Sequence, residues 1–330
     1  MPDLTVALVG CGGIADAYAE ALRGVDGARL VAAVDPDPRA ASRLAERTGA
    51  APFADLGAVP ACDAALVLTP PDTHEELSCA LLARGVHVLC EKPLAPSVEA
   101  ADRMLAAAAA AGRRLMMGSK FRFTPDVQAA RRLLDQGVCG DVVLYENVFC
   151  SHVDMTQRWN SQPRVSGGGV LIDNGCHSVD LARYLLGPLA SVQAQFGRRV
   201  QALPVEDTAR MLFRSRGDAL GSIDLSWSVH KQTDAYVRLI GSAGTLEIGW
   251  RGSRWKASRG DWTDFGEGYQ KIPAFRAQLQ NFFACCREEA APIIDDTDAR
   301  ASVVVIDCAY RAAHEARWVA IPAPSTAGTP

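Results

Sequence analysis

The stretch Leu4-Thr-Val-Ala-Leu-Val-Gly10-Cys-Gly12-Gly13-Ile14-Ala15 decides the fold. Its first half, from Thr5 to Val9, is a short apolar run that reads as a strand buried on both faces. Its second half fits G-x-G-x-x-G/A, and residues 12–23 continue with helical spacing at Ile14, Tyr18 and Leu22. A glycine turn between a buried strand and a helix has a specific physical use. Gly10 admits the tight turn, Gly12 lets the backbone approach a pyrophosphate, and Ala15 permits close helix–strand packing. The helix opening at Gly13 and Ile14 then offers N–H groups and partial positive charge to phosphate.

Working outward, the same alternation repeats. Strands are expected at 29–34, 63–68, 86–90 and 114–117, with helices at 38–47, 72–83 and 97–111 between them. That rhythm predicts an α/β fold with a parallel sheet covered by helices, a Rossmann domain over residues 1–120. The rhythm changes after Met117. A helix at 125–136 and a strand at 141–150 lead into a polar, Gly- and Pro-rich loop at 151–168, then a helix at 169–186. From 191 to 258 the text is mostly strands. Ile223, Leu225, Trp227 and Val229 alternate with Ser222, Asp224, Ser226 and Ser228, which marks a largely antiparallel sheet with one covered face. Gly241-Ser-Ala-Gly244 reads as a hairpin turn, and two helices at 273–289 and 297–317 close the chain. Residues 121–321 are therefore expected to form a second α/β domain, followed by a flexible tail at 322–330.

Composition fits this picture. The chain has 330 residues, about two domains' worth, and 34 basic against 38 acidic residues leave a formal charge of −4. That balance argues against a nucleic-acid partner. No run approaches the roughly 20 apolar residues of a membrane helix, and the start reads as a strand rather than a signal peptide. The ten cysteines form no C-x-x-C pair, so no zinc ribbon is suggested, and a reducing, cytoplasmic compartment is expected.

Several residues stand where chemistry is expected. Asp35 follows the second strand, where an acidic residue holds the ribose hydroxyls. Its charge repels a 2′-phosphate and favours NAD, although the nearby Arg39 leaves NADP open; Asp35 also suits the turn it begins. Thr69-Pro70 lies at a strand's carboxyl end, where ligands of open parallel sheets sit. Glu91-Lys92-Pro93 follows the strand at 86–90, which aims Lys92 toward the nicotinamide crevice, and Pro93 tolerates a cis bond, expected here. Finally, Asp173, His177 and Asp180 share one helical stripe, with Leu171, Val179, Ala182 and Leu186 opposite. A solvated polar face and a metal site are the competing readings of that stripe. No further His or Cys falls at ligand spacing nearby, so no metal is expected.

Taken together, these motifs resemble the glucose–fructose oxidoreductase / inositol dehydrogenase / rhizopine-catabolism (Gfo/Idh/MocA) family. The matching residues are Gly10 to Ala15, Thr69-Pro70, His74, Glu91-Lys92-Pro93, Arg122-Phe-Thr-Pro125, Gly137-Val-Cys-Gly140, residues 167–177, Tyr310 and residues 318–322. The resemblance implies a C-terminal domain on an open sheet whose free face assembles a homodimer or homotetramer. It also implies Lys92, Asp173 and His177 as catalytic positions, and Thr69, Pro70, His74, Glu91 and Lys92 along the cofactor. Ser119-Lys120-Phe121 precedes Arg122 where family members often carry another arginine, which leaves the substrate roles of Lys120 and Arg122 open.

The expected chemistry is interconversion of a secondary alcohol and a ketone on a sugar, aminosugar or cyclitol. His177 would exchange the proton, Lys92 would stabilise the alkoxide and Asp173 would orient one of them. Arg122, His152, Arg158, Trp159 and Asn160 are the candidate substrate contacts beside these three, with Trp159 suited to a sugar face. A glycosidase working through transient oxidation and a non-catalytic NAD-binding sensor are the rival readings.

Overall fold

A computed structural model describes residues 2–323. The tail expected at 322–330 lies, from residue 324 on, outside the described residues. The described residues divide into two compact units, residues 2–123 with 270–299 and residues 124–269 with 300–323.

The first unit carries β1 (Leu4–Val9), α1 (Gly13–Leu22), β2 (Ala28–Val34), α2 (Pro38–Thr48), β3 (Ala51–Phe53), β4 (Ala64–Val67), α3 (His74–Ala83), β5 (His87–Glu91), α4 (Val98–Ala111) and β6 (Leu115–Gly118). All neighbouring strands pair parallel, in the order β3-β2-β1-β4-β5-β6. This is the doubly wound Rossmann order, with its switch point between β1 and β4. Val6, Ala7 and Leu8, and all of β4, are fully buried, as a strand covered on both faces requires. Burying each such Val or Leu contributes about 1.5–3 kcal/mol. Helix starts follow their sequence signals: Asp37 caps α2 ahead of Pro38, and Ser97 caps α4.

The second unit carries α5 (Pro125–Asp135), β7 (Val142–Cys150), α6 (Pro163–Ser166), α7 (Val170–Leu186), β8 (Leu189–Phe196), β9 (Thr208–Ser215), β10 (Leu220–Ser226), β11 (Ala235–Gly241), β12 (Gly244–Gly249), β13 (Ser253–Ala257) and β14 (Thr263–Gly266). After α8 (Lys271–Cys286) and α9 (Asp296–Glu315), β15 (Val319–Ala320) completes its sheet. The nine strands run β14-β13-β12-β11-β7-β10-β9-β8-β15. Every pair is antiparallel except β7 with β10. Along β10, Gly221, Ile223 and Leu225 are buried against α7, while Leu220, Ser222 and Asp224 point the other way.

The sequence reading put residues 121–321 in one domain, whereas residues 270–299 belong to the first unit. Helix α8 packs on α1 there: Tyr18 and Phe275 have ring centroids 4.5 Å apart, and Gln278 donates to the Tyr18 hydroxyl at 2.8 Å. The 3-10 turn at Trp159–Ser161 and the short helix α6 fall within what reads as loop. Among the described residues, no helix is long and apolar enough to cross a membrane.

Candidate active site

At the carboxyl edge of the parallel sheet, Gly10 adopts φ 95°, a conformation that favours glycine. A Cβ there would also sit 2.9 Å from the backbone of Leu68 and Thr69. Gly12 and Gly13 are exposed, and added Cβ atoms would meet nothing within 4 Å. No side chain caps α1 at Gly12. An open glycine turn leading to an uncapped helix start suits a pyrophosphate. Asp35 lies beside it: its Oδ2 accepts the Cys11 amide at 2.8 Å and its Oδ1 the Asp37 amide at 2.9 Å. The carboxylate is thus fixed by backbone beside the glycine turn. Cys11 itself is 1 % exposed, and burial, with Asp35 second, pushes its thiol up to about 12, which disfavours the thiolate.

The next two loops along this edge are tied together. His74 Nε2 lies 2.8 Å from the Thr69 carbonyl and Nδ1 lies 2.9 Å from the Pro93 carbonyl. His74 is 0 % exposed. Both of its ring nitrogens are spent on linking the turn after β4 to the turn after β5. Burial holds its pKa below the ordinary value, against the pull of those carbonyls. Glu91 is likewise a support: it accepts the Tyr18 hydroxyl at 2.6 Å and the Lys92 amide at 3.0 Å. The Lys92–Pro93 bond is cis, as expected, and Lys92 is half-buried directly after β5. Gly10, Gly12, Gly13, Ile14, Asp35, Thr69, Pro70 and Lys92 therefore all follow strands of one sheet at its carboxyl edge.

Arg122 is 1 % exposed, donates to the Ile293 carbonyl at 3.0 Å and pairs with Asp298. A guanidinium held this way braces the return segment of the first unit.

In the second unit, Asp173 and His177 stand one turn apart on α7. Asp173 is half-buried, His177 is 7 % exposed and Asp180 is 0 % exposed. Of the 17 residues of α7, 13 are buried, which excludes a solvated polar face. Both helix ends are held by distant side chains. Glu206, from the loop before β9, accepts the Gly169 amide at 3.0 Å and the Leu171 amide at 3.1 Å. Arg131, on α5, donates to the Tyr184 and Leu185 carbonyls at 3.2 and 2.9 Å. An acid at the N-terminus and a base at the C-terminus both oppose the helix dipole.

The loop at 151–168 is anchored by Gln201. Its Nε2 donates to the Val153 and Trp227 carbonyls, and its Oε1 accepts the Met155 amide at 3.0 Å. Beyond that anchor, His152, Arg158 and Trp159 are exposed and Asn160 is half-buried. Among the described residues, no group of three or more His, Cys, Asp or Glu could hold a metal.

Comparison with known proteins defines the class as an oxidoreductase with an NAD-binding Rossmann fold: a family model of that description matches residues 4–119. The model of the companion C-terminal domain matches residues 127–247, and the chain belongs to the Gfo/Idh/MocA family. A protein of Amycolatopsis mediterranei assigned as a UDP-kanosamine synthase oxidoreductase subunit is 35% identical over 246 residues, 66% of this chain and 67% of that protein. Inositol 2-dehydrogenase of Rubrobacter xylanophilus is 31% identical over 255 residues, 74% of this chain and 71% of that protein. Among solved structures, GenD2 from gentamicin A biosynthesis, in complex with NAD, is 29% identical. It matches with a TM-score of 0.86 over 98% of this chain and 97% of that one.

Proposed function

We propose that the protein uses NAD to interconvert a secondary alcohol and a ketone on a sugar, aminosugar or cyclitol. The observation that carries this reading is Lys92 at the carboxyl end of β5, on the same sheet edge as the glycine turn and Asp35. Ligands of doubly wound sheets bind along that edge. Bound nicotinamide supplies hydride transfer, and the chain supplies the acid–base and electrostatic work. His177 takes the hydroxyl proton as the alcohol is oxidised and returns it in reduction. The Lys92 ammonium lowers the energy of the developing alkoxide. Asp173, one turn from His177 on α7, orients one of these two groups. Trp159 and Asn160 join Lys92, Asp173 and His177 in holding the polyol, the exposed indole lying on an apolar sugar face. The relatives' names, inositol 2-dehydrogenase and a UDP-kanosamine synthase subunit, support a polyhydroxylated substrate.

The test is a screen of cyclitols, hexoses, aminosugars and nucleotide sugars with NAD, followed by absorbance of the reduced nicotinamide. Stoichiometric accumulation of NADH with at least one of them is expected. Turnover of a glycoside without net NADH would replace a dehydrogenase by a hydrolase.

We further propose that the uncovered face of the nine-stranded sheet joins copies of the chain into a homodimer or homotetramer. Leu220 is 44% exposed, beside Leu144 (41%) and near Leu212 (39%), an apolar patch that a second copy would cover. Leu220→Lys should lower the mass measured by light scattering; a monomeric wild-type protein would refute the assembly. The ten cysteines are all free, which supports a reducing, cytoplasmic setting.

A further inference from the structure

Helix α7 has no cap of its own, because Gly169 stands at its N-cap and carries no side chain. Its first three amides end instead on two residues far away in sequence. Glu206 Oε1 accepts from Gly169 and Leu171, and the Glu206 carbonyl accepts the Val170 amide at 2.9 Å. The Tyr310 hydroxyl, from α9, donates to Glu206 Oε1 at 2.7 Å and accepts the Gly169 amide at 3.2 Å. The run Gly167-Gly168-Gly169 is what lets the backbone come so close. A Cβ on Gly168 would lie 2.0 Å from the Tyr310 hydroxyl, and one on Gly169 would lie 2.0 Å from the Glu206 carbonyl oxygen. Glu206 is 9% exposed, so its carboxyl oxygen is met by these donors rather than by water. Asp173 belongs to the turn this cluster fixes, and its amide donates to the Gly169 carbonyl at 3.1 Å. His177 is the next turn on.

We propose that Glu206 and Tyr310 are positioning residues for Asp173 and His177: together they set where the first turn of α7 begins and how it is rotated. This rests on the reading of Asp173 and His177 as catalytic. No side chain of the helix itself caps its N-terminus. A misplacement of about 1 Å at a reacting group can cost about 100-fold in rate.

The test uses the full-length protein with Glu206→Ala, Glu206→Gln, Tyr310→Phe and His177→Ala. Glu206→Ala should lower kcat by about 100-fold and Tyr310→Phe by about tenfold, while the KM of the alcohol changes by less than about threefold. The Kd for NADH should not move. Glu206→Gln keeps an acceptor oxygen and should recover to within about tenfold of wild type. Hydrogen exchange followed by mass spectrometry should show faster exchange of residues 169–173 in Glu206→Ala and Tyr310→Phe, with residues 1–123 unchanged. If His177→Ala is inactive but Glu206→Ala turns over like wild type, the positioning role is wrong and the catalytic reading stands. If the loss of kcat matches the fraction unfolded by circular dichroism, the cluster is a structural support only. If His177→Ala itself turns over normally, the catalytic reading fails, and this inference with it.

Discussion

Lys92 stands on a turn at the open end of a strand, whereas His177 lies inside a helix buried on nearly every side. The two regions reach order by different routes. The turns around Lys92 are held by side chains gripping backbone: His74 on Thr69 and Pro93, Glu91 on Tyr18 and the Lys92 amide, Asp35 on Cys11 and Asp37. Helix α7 is held as a rigid rod, by packing along its length and by Glu206 and Arg131 at its ends. Loops at strand ends are suited to enclosing a ligand that enters and leaves. A buried, end-capped helix is suited to keeping one imidazole in place.

Lesions in the two regions should therefore separate. On the proposed function, Lys92→Ala and His177→Ala should each lower kcat by about 10²- to 10⁴-fold, the scale of losing an acid–base or charge-stabilising group. Neither should change the Kd for NADH measured by fluorescence. Only His177→Ala should also abolish a limb of the pH–rate profile; a profile that keeps both limbs would move the base to Lys92. Asp35→Ala should do the reverse. We expect about tenfold weaker NAD binding, the scale of hydrogen bonds to a charged group, with kcat at saturating NAD unchanged. Equal NAD affinity in the variant would remove Asp35 from the cofactor site.

The smallest effect concerns pH. His74 has its pKa lowered by burial, so its folded-state value lies below that of the unfolded chain, about 6.5. Its contribution to stability is complete above that unfolded value and is lost as pH falls below it. His87, lowered by burial and then by Arg113 and Arg114, acts in the same direction. His74→Gln should therefore have a lower Tm at pH 7.5 but a shallower fall in Tm between pH 7.5 and 5.5. Parallel Tm curves for the two proteins would show that His74 does not titrate in this range.

Much of the first unit was legible because complete burial writes itself as apolar runs, and because a glycine turn with Asp35 after the next strand has few other uses. The i, i+4 spacing of Asp173 and His177 was equally plain. What escaped was non-local or unpatterned. β3 is a three-residue edge strand containing Pro52, a residue tolerated only at such an edge. The parallel pairing of β7 with β10 depends on strands more than seventy residues apart, which no local period reports. The partner of Arg122, Asp298, lies 176 positions away, beyond any local pattern. The triple glycine before α7 was the signal for Glu206: three small residues in a row imply that something presses on the backbone, without saying what.

The return of residues 270–299 to the first unit bears on how the molecule is made. Tyr18 is fully buried, and Phe275 and Gln278 of the returning helix contact it. A nascent chain that has emerged only as far as Phe123 holds the whole six-stranded sheet yet lacks that cover. Its nucleotide-binding lobe must wait on the ribosome with α1 uncapped by α8, while the strands of the other unit are translated. Completion of the lobe is thereby a late event in biosynthesis, although its strands come first in the message.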